Sequence, residues 1–314
     1  MRIAVIGAGV AGLACAGELA AAGHEVTIFE KARGPGGRTS SRRTDRGAFD
    51  HGCPVLARGP WLLELAPLGL ELADFAHGEV PVPRMSALAR ALAQDLDVRA
   101  GVRVAPPVRD GAALRLTADD GTDLGVVDRV AVTAPAPQAA ELLAVAAPDL
   151  AEQAATVAYD PCWAALAAWD APLAIPADWL QGDGTVARAA RESAKPGRDP
   201  GERWTVQAGP AWSREHLEDD ADDVARALVA ALGELAGTGP LAASAALTAH
   251  RWRYARVTTP LAVACLLAGD GRVGAAGDWC VPPLAALDPG ALQPGAGVPE
   301  ALHSGRALAR ALLD

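Results

Sequence analysis

The chain opens on an apolar run, "RIAVI", whose β-branched residues and length suit a buried strand. Small residues follow in "AGLACAGELAAAG", which reads as a helix stopping at Gly23, and "EVTIFE" reads as a second strand. The next long apolar stretch, "GPWLLELAPLGLELADFAHG", is broken by Pro and Gly and predicts only short helical pieces. Met85, Leu88, Ala89 and Leu92 recur at helical spacing, and "VRAGVRVAPPVR" reads as a strand. "AALRLTADDGTDLGVVDRVAVTAPAP" predicts a hairpin turning near Asp120-Gly121 and then a buried strand over 127–132, with a helix in "PQAAELLAVAAP". In the middle of the chain, "PCWAALAAWDAPL", "GERWTVQAGPAW" and "LTAHRWRYARV" read as strands, and "DDVARALVAALGELAG" as an amphipathic helix. The last elements are a strand in "GRVGAAGDWC" and a helix in "PEALHSGRALARALL". Between them, "VPPLAALDPGALQPGAG" predicts an exposed loop.

The first three elements carry a chemical pattern. Gly7, Gly9 and Gly12 form G-x-G-x-x-G between strand and helix, and Glu30 closes the second strand. In such a unit Gly7 permits a tight turn, Gly9 admits backbone to a pyrophosphate, and Gly12 lets the helix lie close to the strand. The free N–H groups at the helix start attract phosphate. Glu30 suits a ribose diol. The glycines argue against reading the opening as a secretory leader, despite Arg2 and the Ala-rich run. A second glycine pair, Gly36-Gly37, is followed by Arg38, which suits further phosphate charge.

Composition narrows the remaining choices. The chain has 314 residues, room for two domains. Six of its eight tryptophans fall between Trp163 and Trp252, which marks the middle as a separate, substrate-binding domain. A net charge of −10 without basic blocks argues against nucleic acid or an anionic membrane as partner. No apolar run is long enough to span a bilayer. Five scattered cysteines without C-x-x-C point to reduced thiols, and thus to a cytoplasmic protein without a metal site. Lys31 and Lys195 are the only lysines among 28 basic residues.

The segment "KARGPGGR" resembles the R-x-G-G-R segment of the flavin amine oxidase superfamily. "FDHG", "YDPCWA", "KPGR", "AHRWRYA" and "GDWC" follow in order, and the whole set is similar to the renalase-like FAD-dependent oxidoreductases of that superfamily. The resemblance implies an α/β fold: a Rossmann-type FAD-binding domain interleaved with a smaller antiparallel-sheet (α+β) substrate domain. Boundaries follow at 1–55, 84–150 and 266–314 for FAD, and at 56–83 and 151–265 for substrate. It further implies noncovalent FAD held by Gly7, Gly9, Gly12, Glu30, Lys31, Gly37, Arg38, Val104, Gly277, Asp278 and Val298. The backbone of Val104 falls on the adenine side, and Val298 begins a helix whose N-terminus faces the flavin ring. The implied reaction oxidises a small molecule, a 1,2- or 1,6-dihydronicotinamide. Hydride passes to flavin N5, and molecular oxygen is the acceptor, giving hydrogen peroxide. Two departures stand out. After "FDHG" the chain reads Cys53-Pro54-Val55 where such proteins have Gln and an aromatic pair. The following helical segment is also short.

Candidate catalytic residues are His51, His250 and Trp252. Strand alternation puts His250, Trp252 and Tyr254 on one face and Arg251 and Arg253 on the other. Trp163, Trp279 and Cys280 are read as core, and Arg191 and Lys195 as solvated loop charges. Two other functions compete. A true amine oxidase needs a lysine near flavin N5 and an aromatic pair around the amine, and the scarcity of Lys and Tyr disfavours it. A flavin- or nucleotide-binding protein without activity fits the short cap.

Overall fold

A computed structural model describes residues 1–282 and 297–314. Most of the expected loop over 281–297 lies outside the described residues. A six-stranded sheet runs in the order Leu266–Leu267, Val273–Ala275, Arg129–Val132, Arg2–Ile6, Glu25–Glu30 and Asp97–Ala100. Its pairs are parallel except that between the first two strands. Its central strands are covered on both faces and carry the apolar runs Ile3–Ile6 and Val130–Val132, whereas the edge strand Asp97–Ala100 is largely exposed. Ile3 and Val5 point into one cluster with Leu13, Leu19 and Leu308; Ala4 and Ile6 point into another with Val130, Leu143 and Trp279.

A five-stranded antiparallel sheet forms the second layer, in the order Trp179–Gln181, Val186–Arg191, Glu202–Ala208, Ala158–Trp169 and Ala246–Thr259. Trp163, Ala165, Trp204 and Val206 project from one face onto the helix Ala221–Leu235. That helix starts at Asp220, whose carboxylate accepts N–H bonds from Asp222 and Asp223. The other face receives Phe49, which packs on Leu166 and Ala168.

Two expectations need correction, and two strands go beyond what the sequence predicts. The stretch read as helical pieces is a 3-10 run over Pro60–Leu68 followed by the strands Leu72–Phe75 and Gly78–Pro81, with Leu56–Ala57 as a third strand. "VRAGVRVAPPVR" is not one strand. Asp97–Ala100 belongs to the parallel sheet and Val108–Asp110 to a separate hairpin sheet, because Gly101 turns with φ +77 and Pro106-Pro107 lacks N–H donors. The sequence does not announce the strands Trp179–Gln181 and Val186–Arg191: the first is three residues long, and the second carries Ala and Arg, whose propensity is overridden by pairing with Glu202–Ala208.

The helices Val10–Ala21 and Val298–Leu313 meet at backbone distance. A Cβ on Gly305 would collide with the Ala11 carbonyl oxygen, whereas a Cβ on Gly17 would meet nothing. Helix propensity alone favours alanine at both positions by about 1 kcal/mol. Gly17→Ala should therefore raise the denaturant midpoint. Gly305→Ala should lower stability by about 1–3 kcal/mol through overpacking. Equilibrium unfolding of the two variants checks the opposite signs.

Candidate active site

The glycine loop has the geometry that its spacing implies. Gly7 takes φ +111, and a Cβ on Gly12 would strike the Gly7 carbonyl and the Thr133 hydroxyl. Gly9 caps the first helix, and a Cβ there would have nothing within 4 Å. The second glycine turn folds back onto the first. The Gly36 N–H donates to the Ala8 carbonyl (2.8 Å), and a Cβ on Gly37 would lie 3.6 Å from the Gly9 Cα. Two side-chain-free turns thus face each other beside a helix start, a cradle that fits a pyrophosphate.

Glu30 is buried, and its two oxygens accept the N–H groups of Ala8 (2.8 Å) and Ala32 (2.7 Å). Each oxygen retains acceptor capacity for a ribose hydroxyl. Val104 pairs with Ala118, but the bonds of that bridge run through Ala105 and Arg103, so the peptide groups of Val104 itself are left outside it. Lys31 reaches the Gln138 side chain instead (2.8 Å). Arg38 and Asp278 are bound to each other by a two-pronged pair, both bonds 2.7 Å, and Arg38 also donates to the Ala255 carbonyl. This pair ties the second glycine turn to the Gly277-Asp278 turn. Ser304, in the helix that begins at Val298, accepts the Gly277 N–H (3.1 Å). Trp163, Trp279 and Cys280 are core, as expected.

The three candidate catalytic rings meet. His51 lies 4.9 Å from His250 and 5.0 Å from Trp252, and His250 lies 4.4 Å from Trp252, centroid to centroid. The Trp252 indole N–H donates to the His51 carbonyl (3.0 Å). Alternation along the strand holds: Tyr254 packs edge-on against Tyr159 at 5.5 Å, while Arg251 and Arg253 both reach Glu218 on the other side. The Nδ1 of His51 is buried and has no partner among the described residues. Burial, the His250 ring and the Arg42 charge push the His51 imidazole down to about 4. Burial and Arg42 also lower His250.

Beneath His51 lies a network that sequence reasoning missed. Lys195 was expected in solvent. Its side chain is instead fully buried, with Nζ 3.2 Å from Asp50 and 2.9 Å from Glu192. Arg191 is also mostly buried, between Asp178 and Glu202. Asp50 accepts further bonds from Arg198 (2.7 Å), the Ser41 hydroxyl (2.6 Å) and the Met85 N–H (3.1 Å). Burial alone would raise Asp50; Lys195 and Arg198 overcome it and hold the carboxyl at about 2. Burial raises Glu192. Gln207 donates to the His51 (3.2 Å) and Gly52 (2.7 Å) carbonyls. Asp50 of "FDHG" and Lys195 of "KPGR" lie 145 residues apart, and nothing in the sequence shows that they touch.

His51 remains neutral in the folded protein down to about pH 4, whereas an unfolded chain protonates it near the ordinary 6.5. Stability is therefore complete above pH 6.5 and declines as pH falls toward 4, by about 3 kcal/mol over the full window. Asp50 adds its own loss only below its ordinary value of 3.8, toward about 2. Chemical denaturation between pH 4 and 7 should show this slope, and His51→Gln should flatten it.

Comparison with known proteins gives the family. Residues 5–66 match the NAD(P)-binding Rossmann-like domain, and residues 69–313 match the flavin containing amine oxidoreductase family. The 4,4'-diapophytoene desaturase (4,4'-diaponeurosporene-forming) of Staphylococcus aureus (strain Newman) is 58% identical over 56 residues, 18% of this chain. That match spans only 11% of the desaturase. Among solved structures, a protein from Exiguobacterium sp. 255-15 assigned provisionally as a protoporphyrinogen oxidase superposes with a TM-score of 0.72 at 13% identity, covering 98% of both chains. Cyclohexylamine oxidase from Brevibacterium oxydans IH-35A superposes with a TM-score of 0.71 at 12% identity, covering 99% of this chain and 98% of its own. At these identities the likeness is one of fold. The family match spans most of the chain, and the paired glycine turns fit an FAD pyrophosphate: the chain belongs to the flavin containing amine oxidoreductase family.

Proposed function

We propose that this flavoenzyme oxidises a dihydronicotinamide-type substrate, in the manner of the renalase-like enzymes that its motifs resemble. The observation that carries the reading is the contact of His51, His250 and Trp252, a neutral, partly buried cluster of mutually inclined rings whose faces and edges suit a pyridine ring. FAD, when bound, accepts the hydride at N5 and is returned to its oxidised form by molecular oxygen, with hydrogen peroxide formed. A dihydropyridine donates hydride without first losing a proton, so the chain need supply no base. Its residues orient the ring and exclude water.

Two features weigh against a primary amine as substrate. Lys195, the lysine outside the glycine-loop segment, is committed to Asp50 and Glu192. Tyr159 and Tyr254 touch each other, leaving no slot between their rings for an amine.

In this reading residues 1–55, 84–150 and 266–314 hold FAD noncovalently, and 56–83 and 151–265 hold substrate. Gly7, Gly9, Gly12 and Gly37 cradle the pyrophosphate, and Glu30 takes the ribose. Arg38 and Asp278 act as one bridged pair beside it. The net charge of −10 and five unpaired cysteines favour a cytoplasmic protein that does not bind nucleic acid. No helix among the described residues is long and apolar enough to cross a membrane.

Two experiments test the reading. Acid precipitation should release FAD into the supernatant. Gly9→Val should fold normally, because its Cβ enters open space in the protein, yet lose the flavin. Near-wild-type unfolding with a flavin-free spectrum is the expected signature, and full flavin retention would refute the cradle. In anaerobic stopped flow, 1,2- or 1,6-dihydronicotinamide nucleotides should bleach the flavin, and oxygen should then yield peroxide. Bleaching by simple amines alone would instead establish an amine oxidase. Bleaching by neither class would favour a binding protein without activity.

A further inference from the structure

We infer that Arg188 is the anion anchor of the substrate cleft and receives the phosphate of a substrate whose ring lies beside His51, His250 and Trp252. The inference rests on the dihydronicotinamide reading and names the part of the substrate that the rings do not hold.

The first observation is strand register. Across the antiparallel sheet Gln181 pairs with Arg188, Arg188 with Gln207, Gln207 with Ala164, and Ala164 with His250. Directly paired residues project from the same face. Arg188 and Gln207 therefore share the face of His250, and Trp252 joins them through its pairing with Cys162. The opposite face is filled by the helix Ala221–Leu235. Gln207 places this row against the 50–53 turn, because it donates to the His51 and Gly52 carbonyls.

The second observation is the state of the guanidinium. Arg188 is half-buried, yet among the described residues its side chain has neither a carboxylate within 4 Å nor a hydrogen-bond partner. Arg191, on the same strand and the opposite face, is paired with Asp178 and Glu202. Arg188 also bears on both thiols that flank the row. Burial pushes Cys53 and Cys162 up to about 11, and the Arg188 charge is the largest influence opposing it at each. Cys53 follows Gly52 in the turn, and Cys162 faces Trp252, so the guanidinium lies where the turn meets the ring-bearing end of the sheet.

Three strand intervals separate Arg188 from His250, about 14 Å between backbones. Ala164 and Gln207 between them are buried beneath the 50–53 turn, so the ligand would run over that turn, the arginine side chain spanning part of the distance and a ribose phosphate the rest. A guanidinium without a protein partner is free for a ligand, and a phosphate oxygen pair engages it with two charge-assisted bonds. The same charge opposes entry of an alkylammonium ion.

The test uses the flavin-loaded protein, titrated with nicotinamide mononucleotide and with nicotinamide riboside and followed by calorimetry and by perturbation of the flavin spectrum. The wild type should prefer the mononucleotide by about tenfold or more. The preference should shrink as ionic strength rises, should vanish in Arg188→Gln and should survive in part in Arg188→Lys, with flavin content establishing that each variant folds. Inorganic phosphate should compete only weakly, since it lacks the ring; competition as strong as the mononucleotide's would overturn recognition of a tethered phosphate. Equal binding of the mononucleotide and the riboside by the wild type, or an undiminished preference in Arg188→Gln, would overturn the anchor. Preference lost in Arg188→Gln, in a protein that no dihydronicotinamide reduces, would uphold the anchor and refute the substrate reading. Reduction by dihydronicotinamides with the preference intact in Arg188→Gln would refute the anchor alone.

Discussion

The buried carboxylate of Asp50 is the constraint around which the site is organised. An ionised acid cut off from water is costly unless its lone pairs are filled by charged or strongly polar donors. Asp50 meets this demand with Lys195, Arg198, Ser41 and the Met85 backbone, donors drawn from three separate parts of the chain. Each donor is held where it is because the carboxylate is there. The residue after Asp50 is His51, whose carbonyl is fixed in turn by Trp252 and Gln207. The rings of the candidate active site are thus positioned by charges that lie under them.

The cofactor cradle depends on a different economy, the removal of side chains. Gly9 and Gly37 face each other, Gly12 lets the helix close onto the strand, and Gly305 lets the last helix close onto the first. The last helix then brings Ser304 to the Gly277 N–H. Arg38 and Asp278 complete the enclosure by pairing across the turns, which leaves neither as an isolated buried charge. The neutrality of His51 follows from the same surroundings. Burial, with the His250 ring and the Arg42 charge beside it, disfavours the charged imidazolium, and the ring remains unprotonated.

The antiparallel sheet divides its labour by face. One side carries tryptophans and alanines against a helix and makes a conventional core. The other presents Arg188, Gln207, His250 and Trp252 toward the 50–53 turn. Strand alternation makes this division possible, and register decides which polar residues become neighbours across it.

Much of the fold and half of the site were legible in the sequence. The strand–glycine–helix unit ending at Glu30 is local, so spacing and residue type suffice to recognise it. The facing of His250 and Trp252 follows from a period of two along one strand. The strands near 56–81 and 179–191 were not legible, because their Ala, Arg, Pro and Gly content acquires strand geometry only through partners elsewhere in the chain. Lys195 was misread for the same reason. A lysine in a Pro-Gly segment looks solvated until the fold sets it beside Asp50, 145 residues away. Local pattern determined the cofactor turn and the faces of the strands, since backbone geometry acts over a few residues. Only tertiary structure decided which charges are buried together, because burial and pairing depend on packing between segments that the sequence keeps far apart.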